Sequence, residues 1–131
     1  MRRLTALLTL VSFVLLFAGG LAYAGQKDLV GTWVGETEVP DAPEPDKLTI
    51  VFALVDGELT GTFTDTLGFA SEALCEDIKY EDGNLSFHFD INDGYATSPI
   101  YVTLKVEGDN MTGYWENEEG QSSDVKMQRK K

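Results

Sequence analysis

Cysteine and histidine are nearly missing from this chain: each occurs once, as Cys75 and His88. A lone cysteine cannot close an internal disulfide, so stability has to come from a packed core and paired strands. One thiol and one imidazole are also too few for a zinc site, which draws its ligands mainly from those two types. Proline is scarce, and three of the four prolines fall within Pro40 to Asp46. Elsewhere the backbone keeps its amide donors for ladder hydrogen bonds. Basic charge is short as well, with ten Lys and Arg against 22 Asp and Glu and a net charge of −12. Such a surface repels nucleic acid and anionic head groups. It leaves a basic protein or cations as the charged partners, although solubility alone explains the same excess.

Long apolar runs are absent with one exception. Leu4 to Ala18 is almost unbroken, follows Arg2 and Arg3, and precedes Ala22-Tyr23-Ala24. A positive start, a short apolar stretch and a small-x-small ending are the parts of a signal peptide. The run falls short of the ~20 residues that span a bilayer, and Gly19-Gly20 interrupts it. Cleavage is expected at Ala24-Gly25, with residues 1–24 lost and residues 25–131 forming one periplasmic or secreted domain. No membrane insertion is expected after cleavage. Without Arg2 and Arg3 the remaining chain has eight basic residues against 22 acidic ones, a net charge of −14.

Helical periodicity is also lacking after residue 24. Period-two alternation takes its place. Ile100, Val102, Leu104 and Val106 alternate with Tyr101, Thr103, Lys105 and Glu107, and Leu85, Phe87, Phe89 and Ile91 alternate with Ser86, His88 and Asp90. Leu48, Ile50, Phe52 and Leu54 form a third apolar face. Each is a strand with one buried and one wet side. Eight strands are predicted, near 30–39, 47–55, 58–65, 70–80, 85–91, 99–107, 111–117 and 122–129.

One phrase recurs about every 26 residues: Asp56-Gly57-Glu58-Leu59-Thr60-Gly61, Asp82-Gly83-Asn84-Leu85-Ser86 and Gly108-Asp109-Asn110-Met111-Thr112-Gly113. Each copy is a hairpin turn feeding a strand. The turns predicted from it are Asp56-Gly57, Asp82-Gly83-Asn84 and Gly108-Asp109-Asn110. Asn84 and Asn110 also begin glycosylation sequons, but serve more simply as turn residues. Pro40 to Asp46 differs, and is expected to cross one end of the barrel as a stiff extended strap. No helix is predicted to cover the apolar face of the meander. The expected fold is therefore an all-β, eight-stranded antiparallel up-and-down meander that closes into a barrel and removes both edges. Gly61 and Gly113, on the inward face, are expected where a strand bends or a large neighbour lies over the backbone. A two-sheet sandwich is the alternative.

Gly31-Thr32-Trp33 at the start of the first strand, with Arg129 in the last, resembles the lipocalin and calycin pattern. The resemblance implies that Trp33 plugs the closed end and Arg129 stacks over it. More narrowly, the chain from 25 to 131 resembles small exported bacterial lipocalin-like proteins of uncharacterised activity, which share the Gly-x-Trp start and the Leu-Thr-Gly-Thr hairpins. The second and third lipocalin signatures, a C-terminal helix and a disulfide are not evident here. By analogy the resemblance implies a barrel whose lumen takes an apolar ligand.

The lumen is accordingly the leading candidate site, with Trp33, Phe52, Phe63, Phe87, Phe89, Leu104, Met111 and Trp115 as its expected ligand-binding lining. Leu48, Ile50, Leu54, Leu59, Ile100, Val102, Val106, Val125 and Met127 are expected on the same face. Such bulky side chains favour a filled interior, since eight strands leave room only for side chains or one small ligand. If a pocket exists, its mouth is expected to be framed by Pro40–Asp46 at one end or Asn92–Ser98 at the other. Catalysis has little support. Ser86, His88 and Asp90 share a face, but alternate residues stand about 7 Å apart, too far for a direct bond. Cys75 lies in Ala73-Leu74-Cys75-Glu76 and is expected to be a small buried apolar residue. Asp90-Ile91-Asn92-Asp93-Gly94 lacks the spacing of a calcium loop and is expected to be a turn. No cofactor and no metal are expected. The leading reading is a monomeric, non-enzymatic binding protein for a small apolar or amphipathic ligand. The alternative is a filled-core protein-interaction module resembling a protease inhibitor or an envelope accessory protein.

Overall fold

The computed structural model describes residues 25–92 and 94–131. The expected leader, 1–24, and Asp93 of the Asp90–Gly94 turn lie outside the described residues. Among the described residues nine strands run β1 Gly31–Thr37, β2 Asp46–Val55, β3 Glu58–Asp65, β4 Ala73–Leu74, β5 Glu76–Glu81, β6 Asn84–Asn92, β7 Thr97–Glu107, β8 Asn110–Asn117 and β9 Ser122–Arg129. All pair antiparallel in one sheet of order β4-β3-β2-β1-β9-β8-β7-β6-β5. The alternation of buried and exposed residues follows the apolar pattern along β6 and β7, and along β2 from Leu48 to Phe52.

The sheet curls into a nearly closed barrel. β1 and β9, the ends of the meander, pair with Trp33 opposite Arg129 and Thr37 opposite Val125. The eight-strand expectation needs one correction. The segment expected as a single strand, 70–80, is split at Cys75 into β4 and β5. The first half pairs with β3 through Thr62–Leu74 and Phe63–Ala73, the second with β6 through Tyr80–Leu85 and Glu81–Asn84. A register shift between Glu76 and Lys79, with Asp77 at φ 51°, allows the change of partner. The two edges therefore remain, next to each other, where full closure was expected to remove them. Aromatic contacts bridge the inside of this seam: Phe63 of β3 stacks on Phe89 of β6 at 4.0 Å, and Phe52 of β2 meets Phe87 of β6 edge-on at 6.2 Å.

The recurring phrase settles at one end. Its turns are two-residue loops, tighter than expected for the second and third copies, because Asn84 and Asn110 already belong to strands. Asp56-Gly57 and Asp82-Gly83 have positive φ at both positions, the type I′ geometry, whereas in the third copy only Gly108 does. Since each hairpin returns the chain to its starting level, the remaining connections collect at the opposite end: 38–45, 66–72, the described residues 94–96 and 118–121. The strap and the Asn92–Ser98 segment, expected to frame opposite ends, therefore share one. Nor is the strap extended. Pro40 and Asp41 form a turn in which Ala42 N–H donates to the Val39 carbonyl at 3.1 Å and Asp41 takes φ 67°, the pattern of a type II turn. Asp46, expected in the strap, opens β2.

Gly61 and Gly113 fill their expected places. A Cβ on Gly61 would lie 2.9 Å from the Phe52 ring, which rests on the bare backbone opposite it; a Cβ on Gly113 would lie 2.9 Å from the Leu104 Cα in the neighbouring strand. Such close approach is open only to a residue without a Cβ. A short helical turn over 25–29, absent from the sequence expectation, precedes β1 and carries the fully buried Leu29 into the end of the barrel. Its polar neighbours hid one apolar contact that only the third dimension supplies. Leu54 departs in the other direction: expected inside, it is partly exposed, because β2 overshoots the core at its last turn.

Candidate functional site: a cavity at the open end of the barrel

The two ends of the lumen differ in content. At the end that carries the two-residue turns, Trp33, Leu29, Leu85, Leu104, Met111 and Met127 are buried and packed together. Trp33 Nε1 donates to the Leu29 carbonyl at 2.9 Å, so the indole keeps its hydrogen bond while sealed from water. The Arg129 guanidinium lies 4.3 Å from the centre of the Trp33 ring. It donates to the carbonyl of Val30 at 2.8 Å, to the carbonyl of Asp28 and to the Asp109 carboxylate at 2.9 Å. Gly31 stands where a Cβ would be 3.1 Å from that guanidinium. The cation thus satisfies the carbonyls of the entering turn and covers the plug.

At the other end the lumen is open. A cavity of about 390 Å³ has a floor of Leu48, Ile50, Phe63, Phe89, Val102 and Val125. Its mouth is framed by Val39 and Pro40, Phe69 and Ala70, and Glu118, Glu119 and Gln121 from three of these connections, and by Ser98 at the start of β7, just after the remaining one. Of the expected lining residues, Phe63, Phe89 and Trp115 border this space. Trp33, Phe52, Phe87, Leu104 and Met111 do not; they are packed below it or beside it. Trp115 is fixed at the rim, its Nε1 donating to Thr37 Oγ1 at 2.9 Å while that hydroxyl donates to the Asp124 carbonyl at 2.6 Å.

Two carboxyl groups were missed from the sequence. Asp46 and Asp65 are buried beside each other in the wall of the cavity. Asp46 Oδ1 accepts from the amides of Thr66 at 3.1 Å and Leu67 at 3.0 Å, so it pins the start of the 66–72 connection. Asp65 Oδ1 accepts from Ala70 N–H at 2.8 Å and closes the same connection from its other side. Asp65 Oδ2 is buried with no hydrogen-bond partner. Burial first, then the hydrogen bond and the charge of Asp65, push the Asp46 carboxyl up to about 6. A proton on Asp46 makes it a donor to its neighbour; with both ionised, neither can donate. The signal for both was present: period two places Asp46 with Leu48 and Ile50, and Asp65 with Gly61 and Phe63, on the inward face. In so acidic a chain, two more acids at strand ends did not stand out.

Outside the lumen, His88 is half-buried on the outer face, with Nε2 2.8 Å from Asp77 Oδ2 and Nδ1 3.8 Å from Glu76. Its partner comes from the irregular β5 and not from Ser86 or Asp90 on its own strand. Burial pushes the Cys75 thiol up to about 12, so it stays protonated at neutral pH, packed by Gly61. A second, largely polar recess of about 350 Å³ lies along the seam between Leu59, Cys75, Ile78 and Tyr80. No group of three or more His, Cys, Asp or Glu side chains among the described residues is placed to hold a metal ion. No helix among them is long and apolar enough to cross a membrane. Comparison with known proteins returned no matching family model, no similar curated protein and no similar solved structure.

Proposed function

We propose that the protein is an exported, lipocalin-like binding protein that holds a small apolar or amphipathic molecule in the open end of its barrel. One observation carries this reading: an apolar cavity of about 390 Å³ that opens among the long connections. Small-molecule sites are about 300–1,000 Å³, whereas a space for a few waters is far smaller. The aromatic floor of Phe63 and Phe89 supplies rigid apolar contact, and the anchored Trp115 supplies a rim that faces both lumen and water. Support for export comes from the N-terminal leader pattern, and support for the lipocalin-like assignment from Gly31-Thr32-Trp33 paired with Arg129. The non-enzymatic reading draws on Cys75 and His88, which lie apart from the cavity wall.

Intrinsic fluorescence provides the test. Trp115 borders the cavity and Trp33 is buried outside it, so a bound ligand is expected to change the emission of Trp115 alone. Titration with aliphatic and aromatic amphiphiles should give a saturable change at micromolar concentrations, lost in Trp115→Phe. A flat response to every compound, repeated by calorimetry, would remove the pocket reading.

A further inference from the structure

We propose that the molecule this cavity takes is an amphipathic amine, with its hydrocarbon body over Phe63 and Phe89 and its ammonium group received by Asp65 and Asp46. The inference rests on the pocket reading above and assigns the head group. Its starting point is Asp65, which is only 9% exposed and borders the cavity. Oδ1 is occupied by the Ala70 amide, and Oδ2 is buried without a donor whenever Asp46 is ionised. Leaving a charged acceptor unpaired out of water is expensive, and native structures rarely do so without a reason. Asp46, 3% exposed, adds a second carboxyl beside it.

What the cavity lacks identifies the missing group. Asp46, Asp65, Glu118 and Glu119 border it, while no Lys, Arg or His does. A carboxylate head group, as on a fatty acid, would enter among four acids and add to their repulsion. A neutral alcohol would give one donor and no charge. An ammonium gives three donors and a compensating charge, and its hydrogen bonds to carboxylate are about twice as strong as neutral ones. A metal ion would need further ligands, and Asp46 and Asp65 are not part of a larger metal-binding group among the described residues. Thr37 Oγ1, the nearby hydroxyl, already joins Trp115 to Asp124. The space suits a small member of this class: about 390 Å³ holds roughly a dozen non-hydrogen atoms at about 30 Å³ each.

Calorimetric titration with octylamine, 1-octanol and octanoate tests the assignment, in about 0.15 M salt so that the general negative charge is screened. Octylamine should bind about tenfold or more tightly than octanol, with octanoate weakest. Asp65→Asn should bring octylamine to within about twofold of octanol. It should not lower the melting temperature, because the new amide keeps the acceptor for Ala70 and gives Asp46 a donor. Glu81→Gln removes the same charge from an exposed site at the closed end and should keep the amine preference. If Asp65→Asn fails to fold, Asp46→Asn must show the same loss. Equal binding of octanol and octylamine by the wild-type protein, or an amine preference that survives both substitutions, overturns the amine assignment and leaves the pocket reading intact. Failure of all three compounds to bind overturns both.

Discussion

The closed end and the open end of this barrel are made from the same strands, yet they solve opposite problems. At the closed end every connection between strands is two residues long, the inward side chains meet, and Arg129 covers the Trp33 plug with hydrogen bonds to the entering turn. At the open end the connections are longer, the walls stand apart, and two carboxyl groups are buried where apolar residues would pack better. The difference teaches where stability is held and where, on the function proposed above, recognition is held. One end is nearly free of unsatisfied groups. The other keeps an acceptor without a donor and a volume without atoms, both of which cost stability and are typical of sites kept for a ligand.

This contrast can be broken at graded cost. Trp33→Ala removes the largest buried side chain of the closed end and should cost about 3–5 kcal/mol in denaturant unfolding, enough to unfold much of the population. Gly113→Ala places a Cβ against the backbone of Thr103 and Leu104 and should cost about 1–3 kcal/mol, read as a lower melting temperature. Arg129→Met keeps the apolar stem but loses the guanidinium bonds, for a loss of about 1–2 kcal/mol in the same unfolding measurement.

At the open end the sign reverses. Burial and the neighbouring Asp65 push the folded Asp46 carboxyl up to about 6 from its ordinary 3.8, so between these values the folded state holds a proton that the unfolded chain has lost. Its contribution to stability is therefore full below about pH 4 and is lost as pH rises through 6. Asp46→Asn should flatten that part of the stability profile and leave the protein at neutral pH at least as stable as the parent. The smallest effect on stability is expected from Ile91→Phe, which adds volume to empty space at the cavity wall: less than about 1 kcal/mol by unfolding, with loss of ligand binding by titration.

Much of the architecture was legible because alternation is local. Ile100 to Val106 and Leu85 to Ile91 carry their burial pattern in their own spacing, and the closing pair Trp33 and Arg129 was legible from the resemblance. The break at Cys75 was not. Ala73 to Glu81 serves β3 with its first half and β6 with its second, and nothing local records that its two partners differ. Asp46 and Asp65 were legible in phase but not in role, because their burial depends on the connection 66–72 folding over them. The cavity itself was obscured by bulk. Phe52, Phe87 and Met111 share an inward face with Phe63 and Phe89, and only the level of each along the barrel axis separates packing from lining.

The split strand has a consequence for how the chain behaves among its neighbours. Unpaired strand edges invite other chains to add on. Here both such edges come from one short stretch, Ala73 to Glu81, and they flank the same narrow slit. β4 offers only two residues, and β5 is interrupted by its irregular register. A foreign strand would have to wedge between them and part the Phe63–Phe89 stack. The incomplete closure is thus guarded against fibrous self-association by the shape of the gap itself.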